Sequence, residues 1–381
     1  MDIAICGGGI GGLALSIALR RIGASSTVLE RTARLADVGA GLVLYPNGMK
    51  ALDALGVGAD VRAAGHVAGP ATTRPVLTPA GEVLATDPVG RLTRRFGAPH
   101  VSLLRSALQR VLLDTARARG VRIRTGTAML GHTDQGERVQ LTLDGGQVLH
   151  ADLLVGADGV NSGVRRRLLG DGPPAYCGFS TVRGRVDAGS HPAGFVVKGE
   201  ALDLFAAPIG GGQIYWTAKI TAPPGVWPAK DRAGALADLL ELLAGWDPRL
   251  ADLVRRTDPA GVVVTDIHDR DPVARWSAGR VVLLGDAAHP MTPALGQGAG
   301  LAVEDAVVLA ARLRGAARVA DALAGYTAER APRTAAAVEL SRCKGPAGDH
   351  EGFSTQDGRL TGLFAWRPPA LNGECGRARR R

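Results

Sequence analysis

The stretch that decides the fold is DIAICGGGIGGLALSIALRRIGASSTVLE, residues 2–30. Asp2 to Cys6 reads as a short buried strand, Gly7 to Gly12 as a glycine turn, and Leu13 to about Gly23 as an apolar-periodic helix. A second strand, Ser26 to Glu30, ends in an acid. Strand, turn, helix and strand in this order form the unit that binds a dinucleotide. Gly7 permits the tight turn, Gly9 lets the backbone approach a pyrophosphate, and Gly12 lets helix and strand pack closely. The helix N-terminus then offers free N–H groups to the phosphates. Glu30 stands 18 residues past Gly12, where a carboxylate accepts from ribose hydroxyls. That carboxylate repels a 2′-phosphate, which favours FAD or NAD over NADP at this turn.

Outward from this unit, Gly39 to Val57 reads as an extended segment, a Pro-Asn turn and a helix. Ala63 to Ala98 alternates as strands and hairpins do. Val101 to Gly120 reads as one amphipathic helix, with Leu103, Leu104, Leu108, Val111 and Leu112 on one side and Arg105 in its first turns. Leu153 to Val155 is an apolar strand running into GADGVNSGVRRRLLG, residues 156–170. Alternation from Tyr176 to Ile220 predicts an antiparallel sheet, and helical periodicity returns between Ala233 and Arg255. Arg280 to Leu284 is a buried strand feeding GDAAHPMTPALGQGAGLAVEDAVVLAARL, residues 285–313, whose second half is a long helix begun by glycine turns.

Composition narrows the classes. The chain has 381 residues, enough for about two domains. With 46% hydrophobic and 21% charged residues it is neither disordered nor fibrous. The four cysteines, Cys6, Cys177, Cys343 and Cys375, lack CxxC spacing, which argues against a zinc site or a disulfide framework and for a reducing cytoplasm. No window of ~18 uncharged apolar residues predicts a membrane span. The net charge is +9, and the segment from Ser341 onward carries +4 of it; so diffuse a basicity, with no recognition motif, is a weak footprint for nucleic acid. Neither GxSxG nor HExxH occurs.

Three stations, GGGIGG with Glu30, GADGVNSGVR, and GRVVLLGDAAHPMTPALGQGAGLAVEDA, together resemble the class A, p-hydroxybenzoate hydroxylase-like FAD monooxygenases, over about Met1 to Ala335. The resemblance implies an α/β fold: a Rossmann-like FAD-binding domain interrupted by a substrate domain whose mixed, largely antiparallel sheet covers the flavin. Residues 1–70, 99–175 and 271–340 would form the FAD-binding part, 71–98 and 176–270 the substrate domain, and 341–381 an irregular basic tail. It further implies that Gly7, Gly9 and Gly12 hold the FAD pyrophosphate, Glu30 with neighbouring Arg31 the adenosine ribose, and Asp286 the ribityl chain. Arg105 would reach the FAD, and Asp158, Gly159 and Arg165 would serve FAD and the passing nicotinamide. Pro293, Gly296, Gln297, Gly298 and Ala299 would lie along the isoalloxazine ring, where N–H groups at the helix start stabilise the reduced flavin.

The implied activity takes two electrons from NADH or NADPH, forms a flavin hydroperoxide with O2, and hydroxylates or epoxidises an aromatic or polycyclic small molecule. The alternative is a FAD-holding, non-redox cyclase or scaffold on the same fold. A monomer or homodimer is expected. Several residues have blander readings. His289 has two readings, an acid–base group or a helix-start residue that holds backbone; His268 is read as a surface residue or an active-site one; and Asp269 with Arg270 resembles the pair that precedes the last FAD strand in the family, or else forms a simple salt bridge. Cys6 reads as a small core hydrophobe, and of Tyr215 and Trp216 either one faces the substrate side or both are core. Where phenol-hydroxylating relatives carry a histidine before Tyr-Pro, this chain reads Phe205-Ala206-Ala207-Pro208, which favours a bulkier, more apolar substrate.

Overall fold

The computed structural model describes residues 1–34, 40–188, 194–343 and 358–371. Its first layer is a six-stranded sheet in the order Ser277–Ala278, Val281–Leu283, Leu153–Gly156, Asp2–Cys6, Ser25–Leu29, Arg122–Arg124. Every neighbouring pair is parallel except the first. Parallel strands buried on both faces need continuous apolar runs, and Ile3, Ile5, Val28, Leu154, Val155 and Val282 supply them. The helices Ile10–Arg21, Arg105–Ala118 and Gly298–Leu313 pack into the same core. Chain order reverses about Asp2–Cys6, so the carboxyl ends of three adjacent strands open a crevice there, the place where doubly wound sheets bind ligands.

The second layer is a seven-stranded sheet in the order Val263–Asp269, Ala175–Asp187, Gln213–Thr221, Leu202–Gly210, Phe195–Lys198, Arg74–Leu77, Val83–Asp87. It is antiparallel apart from the parallel pair Phe195–Lys198 with Arg74–Leu77. Alternate residues point to opposite faces. Val182, Leu204, Ala206, Ile214, Trp216, Ala218 and Ile220 enter a second core beneath the helices Arg232–Leu242 and Pro248–Arg255. The opposite face looks back toward the first layer. A small sheet, Gly41–Leu44, Val101–Leu104 and His66–Val67, bridges the two layers, and Ser102 Oγ donates to Pro208 O at 2.6 Å. The architecture is the expected α/β one, with a Rossmann-like layer and a mixed sheet.

Two local expectations are corrected, and the helical periodicity expected between Ala233 and Arg255 is found. Val101–Leu104 is a strand and only Arg105–Ala118 is helical, because the first four residues pair with both Gly41–Leu44 and His66–Val67. The periodicity between Ala233 and Arg255 belongs to two helices, separated at Gly245, which has φ 84°, with Asp247 capping the second through Arg249 N. The expected irregular tail, residues 341–381, contains a helix at Gly358–Phe364 whose Leu360, Leu363 and Phe364 are buried beside Tyr45, Leu92, Leu295 and Leu301, while its residues 344–357 and 372–381 lie outside the described residues. Lys50 Nζ donates to Phe364 O and Trp366 O, which fixes this segment to helix Pro46–Leu55.

Candidate active site

Between the two layers lies a cavity of about 710 Å³, within the ~300–1,000 Å³ range of small-molecule sites. One wall comes from loops at the carboxyl ends of the parallel strands: Gly9 to Gly11 after Asp2–Cys6, Ala157 and Gly159 to Asn161 after Leu153–Gly156, and Leu284 to Asp286 after Val281–Leu283. Gly7 has φ 112°, and a Cβ there would lie 2.3 Å from Ala157 O, so the turn admits only glycine. A Cβ on Gly12 would lie 2.0 Å from Gly7 O, which is the close helix–turn packing expected. At Gly9 and Gly159 a Cβ would meet nothing within 4 Å, so the backbone itself faces open space.

Two helices begin at this wall, Ile10–Arg21 and Gly298–Leu313, and neither has a side-chain N-cap or an acid in its first turn. The helices Gly163–Leu169, Arg232–Leu242 and Pro248–Arg255 are capped by Ser162, Asp231 and Asp247. Uncapped helix starts present free N–H donors and partial positive charge. Two of them beside open glycine backbone make a cradle that fits a pyrophosphate and the anionic end of a flavin. Asp286, also in the lining, is the exposed carboxylate of this wall.

The loop at residues 285–298 rests on a buried charged network. Asp305 Oδ2 accepts from Gly285 N at 3.0 Å and lies 2.6 Å from His289 Nε2, while Arg330 Nε donates to Asp305 Oδ1 at 2.7 Å. Arg330 and Arg333 both donate to Glu304 Oε2, at 2.6 and 2.8 Å. Asn47 Nδ2 donates to Glu304 Oε1 at 2.7 Å and to Gln297 Oε1 at 2.9 Å. Burial by itself would raise the Asp305 carboxyl, but the charges of and hydrogen bonds from His289 and Arg330 outweigh it and hold the group at about 2. At Gly296, φ 61°, the chain turns against the Tyr45 ring, and that ring stacks on Phe364 with centroids 5.0 Å apart.

The facing wall is the exposed side of the seven-stranded sheet, and Phe179, Arg183, Phe205, Tyr215 and Lys219 reach the cavity from it. Arg74 joins them, buried and bound to Asp87 at 2.7 Å, with its guanidinium 5.6 Å from the Phe205 ring centroid. Burial pushes the Tyr45 hydroxyl up to about 12, so it stays protonated at neutral pH.

The sequence-derived candidates divide. Gly9, Gly159, Arg105, Asp286, Pro293, Gly296, Gly298 and Ala299 all line the cavity. Gly7 and Gly12 shape the turn behind it. Glu30 and Arg31 are not among the lining residues: the Glu30 carboxylate accepts from Gly8 N at 2.8 Å and from Thr32 N and Oγ1 at 2.9 and 2.8 Å, with Arg31 exposed beside it. Three residues turn away. Asp158 accepts from Gly163 N and Val164 N at 2.8 and 3.2 Å, satisfying the first turn of Gly163–Leu169. Arg165, 1% exposed, ties that helix to Ala287 O and Ala288 O and pairs with Asp171. Gln297, 2% exposed, points into the Asn47 network rather than along the cavity.

Of the blander readings, Cys6 has its thiol pushed far up by burial and by the Asp158 and Glu30 charges, as a core residue would. His289 is buried on Asp305 and stacked on Trp276, outside the cavity. Asp269 and Arg270 do not pair with each other: Asp269 binds Arg342, and Arg270 binds Asp171 and Gly172 O. His268 lines the cavity instead of the surface, and Tyr215 faces it while Trp216 is in the second core with Nε1 on Thr257 Oγ1 at 2.9 Å. Sequence reasoning missed Tyr45, Arg74, Arg183, Lys198, Asp203 and Lys219. For the strand residues among them the one signal was polar residues at every second position; Tyr45, which precedes helix Pro46–Leu55, had none.

A family model described as "FAD binding domain" matches residues 1–184 and 211–341. The chain belongs to the class A, p-hydroxybenzoate hydroxylase-like FAD monooxygenases. It is 40% identical over 337 residues to the aurachin C monooxygenase/isomerase of Stigmatella aurantiaca, covering 87% of this chain and 86% of that one. It is 33% identical over 351 residues to 3-hydroxybenzoate 6-hydroxylase 1 of Aquipseudomonas alcaligenes, covering 90% and 88%. The structure of Klebsiella pneumoniae HpxO complexed with FAD and uric acid superposes with a TM-score of 0.84 at 30% identity, over 96% of this chain and 93% of that one. This family member is an FAD-dependent monooxygenase that uses a nicotinamide cofactor as electron donor. No helix among the described residues is long and apolar enough to cross a membrane.

Proposed function

We propose that the chain hydroxylates an aromatic small molecule held against the sheet wall, with FAD bound on the glycine wall, NADH or NADPH as reductant and O2 as co-substrate. The observation that carries this reading is the shared cavity, with two uncapped helix starts on one side and aromatic and cationic side chains on the other. Bound FAD would supply the redox chemistry and the activation of oxygen. The chain's residues bind, orient and shield. N–H groups of the turn 7–12 and of helix Ile10–Arg21 would hold the pyrophosphate, and Glu30 the adenosine ribose. Asp286 would bind the ribityl chain. Gly298 and Ala299 at the helix start, with Pro293 and Gly296, would hold the flavin ring.

Phe179, Phe205 and Tyr215 hold the aromatic ring of the substrate and exclude water, so orientation carries more of the catalysis than acid–base groups do. A reducing cytoplasm is the compartment in this reading, supported by the unpaired Cys6 and Cys177. A monomer or homodimer is the expected state.

The test is the visible spectrum of the purified protein, followed by NADH and NADPH oxidation in air with a panel of phenols, aromatic acids and polycyclic aromatics. Yellow protein whose slow oxidation accelerates with one compound, giving a product one oxygen heavier, is the expected result. Bound FAD that neither nicotinamide reduces would leave a non-redox FAD holder. Colourless protein that takes up no FAD would overturn the reading.

A further inference from the structure

The helix Gly358–Phe364 has 7 residues, and isolated helices shorter than about 12–15 residues are marginal in water. Its order therefore comes from docking. Leu360 and Phe364 are fully buried, and Leu363 nearly so. Its carboxyl end, where helix carbonyls lack intrahelical partners, is held by cations of two other helices. Arg333 Nη2 donates to Leu363 O at 2.7 Å, and Lys50 Nζ donates to Phe364 O and Trp366 O at 2.9 and 3.1 Å. The Arg330 guanidinium lies 6.0 Å from the Trp366 ring centroid.

These contacts converge on the cavity. The apolar cluster that the segment closes contains Val43, Tyr45, Met291 and Leu295, all of which line the cavity. Met291 and Leu295 belong to the loop at residues 285–298, and Tyr45 Cε2 would lie 3.2 Å from a Cβ on Gly296 of the same loop. The Phe364 ring stacks on Tyr45 with an interplanar angle of 14° and meets Phe96 edge-on. At its polar end Tyr45 is hydrogen-bonded by Arg74, which Asp87 holds at 2.7 Å. The second sheet thus pins the hydroxyl of Tyr45 while Phe364 pins its face. The Arg333 Nη2 that holds Leu363 O also donates to Glu304 Oε1 at 2.9 Å, the oxygen that accepts from Asn47.

We propose that residues 358–371 are a strap whose docking is coupled to FAD loading: docked, it holds Tyr45 and the loop at 285–298 in the shape that takes the flavin, and Phe364 transmits this. None of its residues lines the cavity, so Phe364 is a positioning residue that acts through Tyr45 and Leu295. The strap also lies beyond residue 341, where the match to the family model ends. The inference rests on FAD being bound at the glycine wall and adds what supports that site from behind. Coupling is reciprocal: the factor by which docking strengthens FAD binding is the factor by which FAD strengthens docking. A unit this small opens by local unfolding, well below the cost of opening the whole fold, so both directions can be measured.

The experiment follows hydrogen exchange in the full chain by mass spectrometry, without and with saturating FAD. In the strap Ala365 N donates to Thr361 O and Trp366 N to Leu363 O, and exchange there should slow about tenfold on FAD loading. The short helix Pro248–Arg255, on the far side of the second sheet, should exchange as before. That measurement needs no variant. Phe364→Ala should weaken FAD binding about tenfold, and the visible band of the flavin that still binds should move toward that of free FAD. Lys50→Met should weaken FAD by a smaller factor, and Lys50→Arg should restore it. Leu253→Ala empties an equally buried site in the second core and should lower the unfolding midpoint while leaving FAD affinity unchanged.

Four results overturn the proposal: strap exchange indifferent to FAD, equal slowing in Pro248–Arg255, wild-type FAD affinity in folded Phe364→Ala, or equal loss of FAD affinity in Leu253→Ala. The second and fourth would reduce the strap to a contributor to overall stability. Where Phe364→Ala does not fold, the wild-type exchange and the Lys50 pair decide. Wild type that holds no FAD would refute the monooxygenase reading itself, whereas FAD-loaded protein with an indifferent strap refutes only this inference.

Discussion

The wall built from Gly9 to Gly11, Gly159, Asp286, Gly296, Gly298 and Ala299 presents mostly backbone, beside two uncapped helix starts. The wall built from Phe179, Arg183, Phe205, Tyr215 and Lys219 presents side chains standing on a rigid sheet. The first needs glycine where a side chain would clash, as at Gly7 and Gly12. The second needs only alternation, and any residue can occupy an outward position. In the reading proposed above, the glycine wall holds the cofactor and the sheet wall meets the substrate.

The largest expected effect comes from crowding the backbone wall. Gly12→Val places a branched side chain where even a Cβ lies 2.0 Å from Gly7 O, so the purified variant should lack the flavin absorbance band. Yellow protein with normal FAD content would show that the turn tolerates what its geometry forbids.

Beneath that wall, Asp305→Asn leaves Arg330 buried with a weakened partner and should cost about 3–5 kcal/mol in urea unfolding. The pH sign follows from the depressed carboxyl. The Asp305 contribution is fully present above the unfolded carboxylate pKa of about 4 and is lost as pH falls through about 2. Wild type should therefore lose stability over that acid interval more steeply than the variant, and parallel curves would remove Asp305 from the support of the loop.

On the side-chain wall the ammonium of Lys219 is present below about 8 and lost above it, with Asp203, Lys198, Phe179, Thr181 and Cys177 facing or surrounding it. In the reading proposed above, an aromatic acid held against this wall, 3-hydroxybenzoate for example, stays ionised throughout, so its affinity should fall by up to about tenfold per pH unit above ~8 and should be flat in Lys219→Met. A flat wild-type profile would show that the lysine does not meet the ligand's charge.

The smallest effect sharpens the border between the walls. Asp158→Ala removes the acceptor for Gly163 N and Val164 N and should cost about 1 kcal/mol in thermal unfolding while FAD content is kept. FAD loss with unchanged stability would instead give Asp158 the cofactor role that the resemblance implies.

Residues 2–30 were readable because every partner in that unit is local and glycine alone satisfies the turn. The strand, turn, helix and acid all lie within a few residues of their expected ends. The strand Val101–Leu104 was not readable, because its apolar spacing suits a helix and only its distant pairing partners make it extended. Gln297 and Arg165 sit in motifs that suggested the cofactor, yet their side chains turn to Asn47 and to Ala287 and Ala288, groups 250 and more than 100 positions away.

By itself, then, the sequence determined the dinucleotide unit and the alternation of the antiparallel strands between Tyr176 and Ile220, since these depend on local periodicity and on glycine. Only the tertiary structure decided which face of the seven-stranded sheet closes the cavity, and therefore that Lys219 and Arg183 line it while Trp216 looks toward the helices. Alternation defines two faces without saying what covers either, and that is set by how the small sheet at Gly41–Leu44 and Val101–Leu104 joins the two layers.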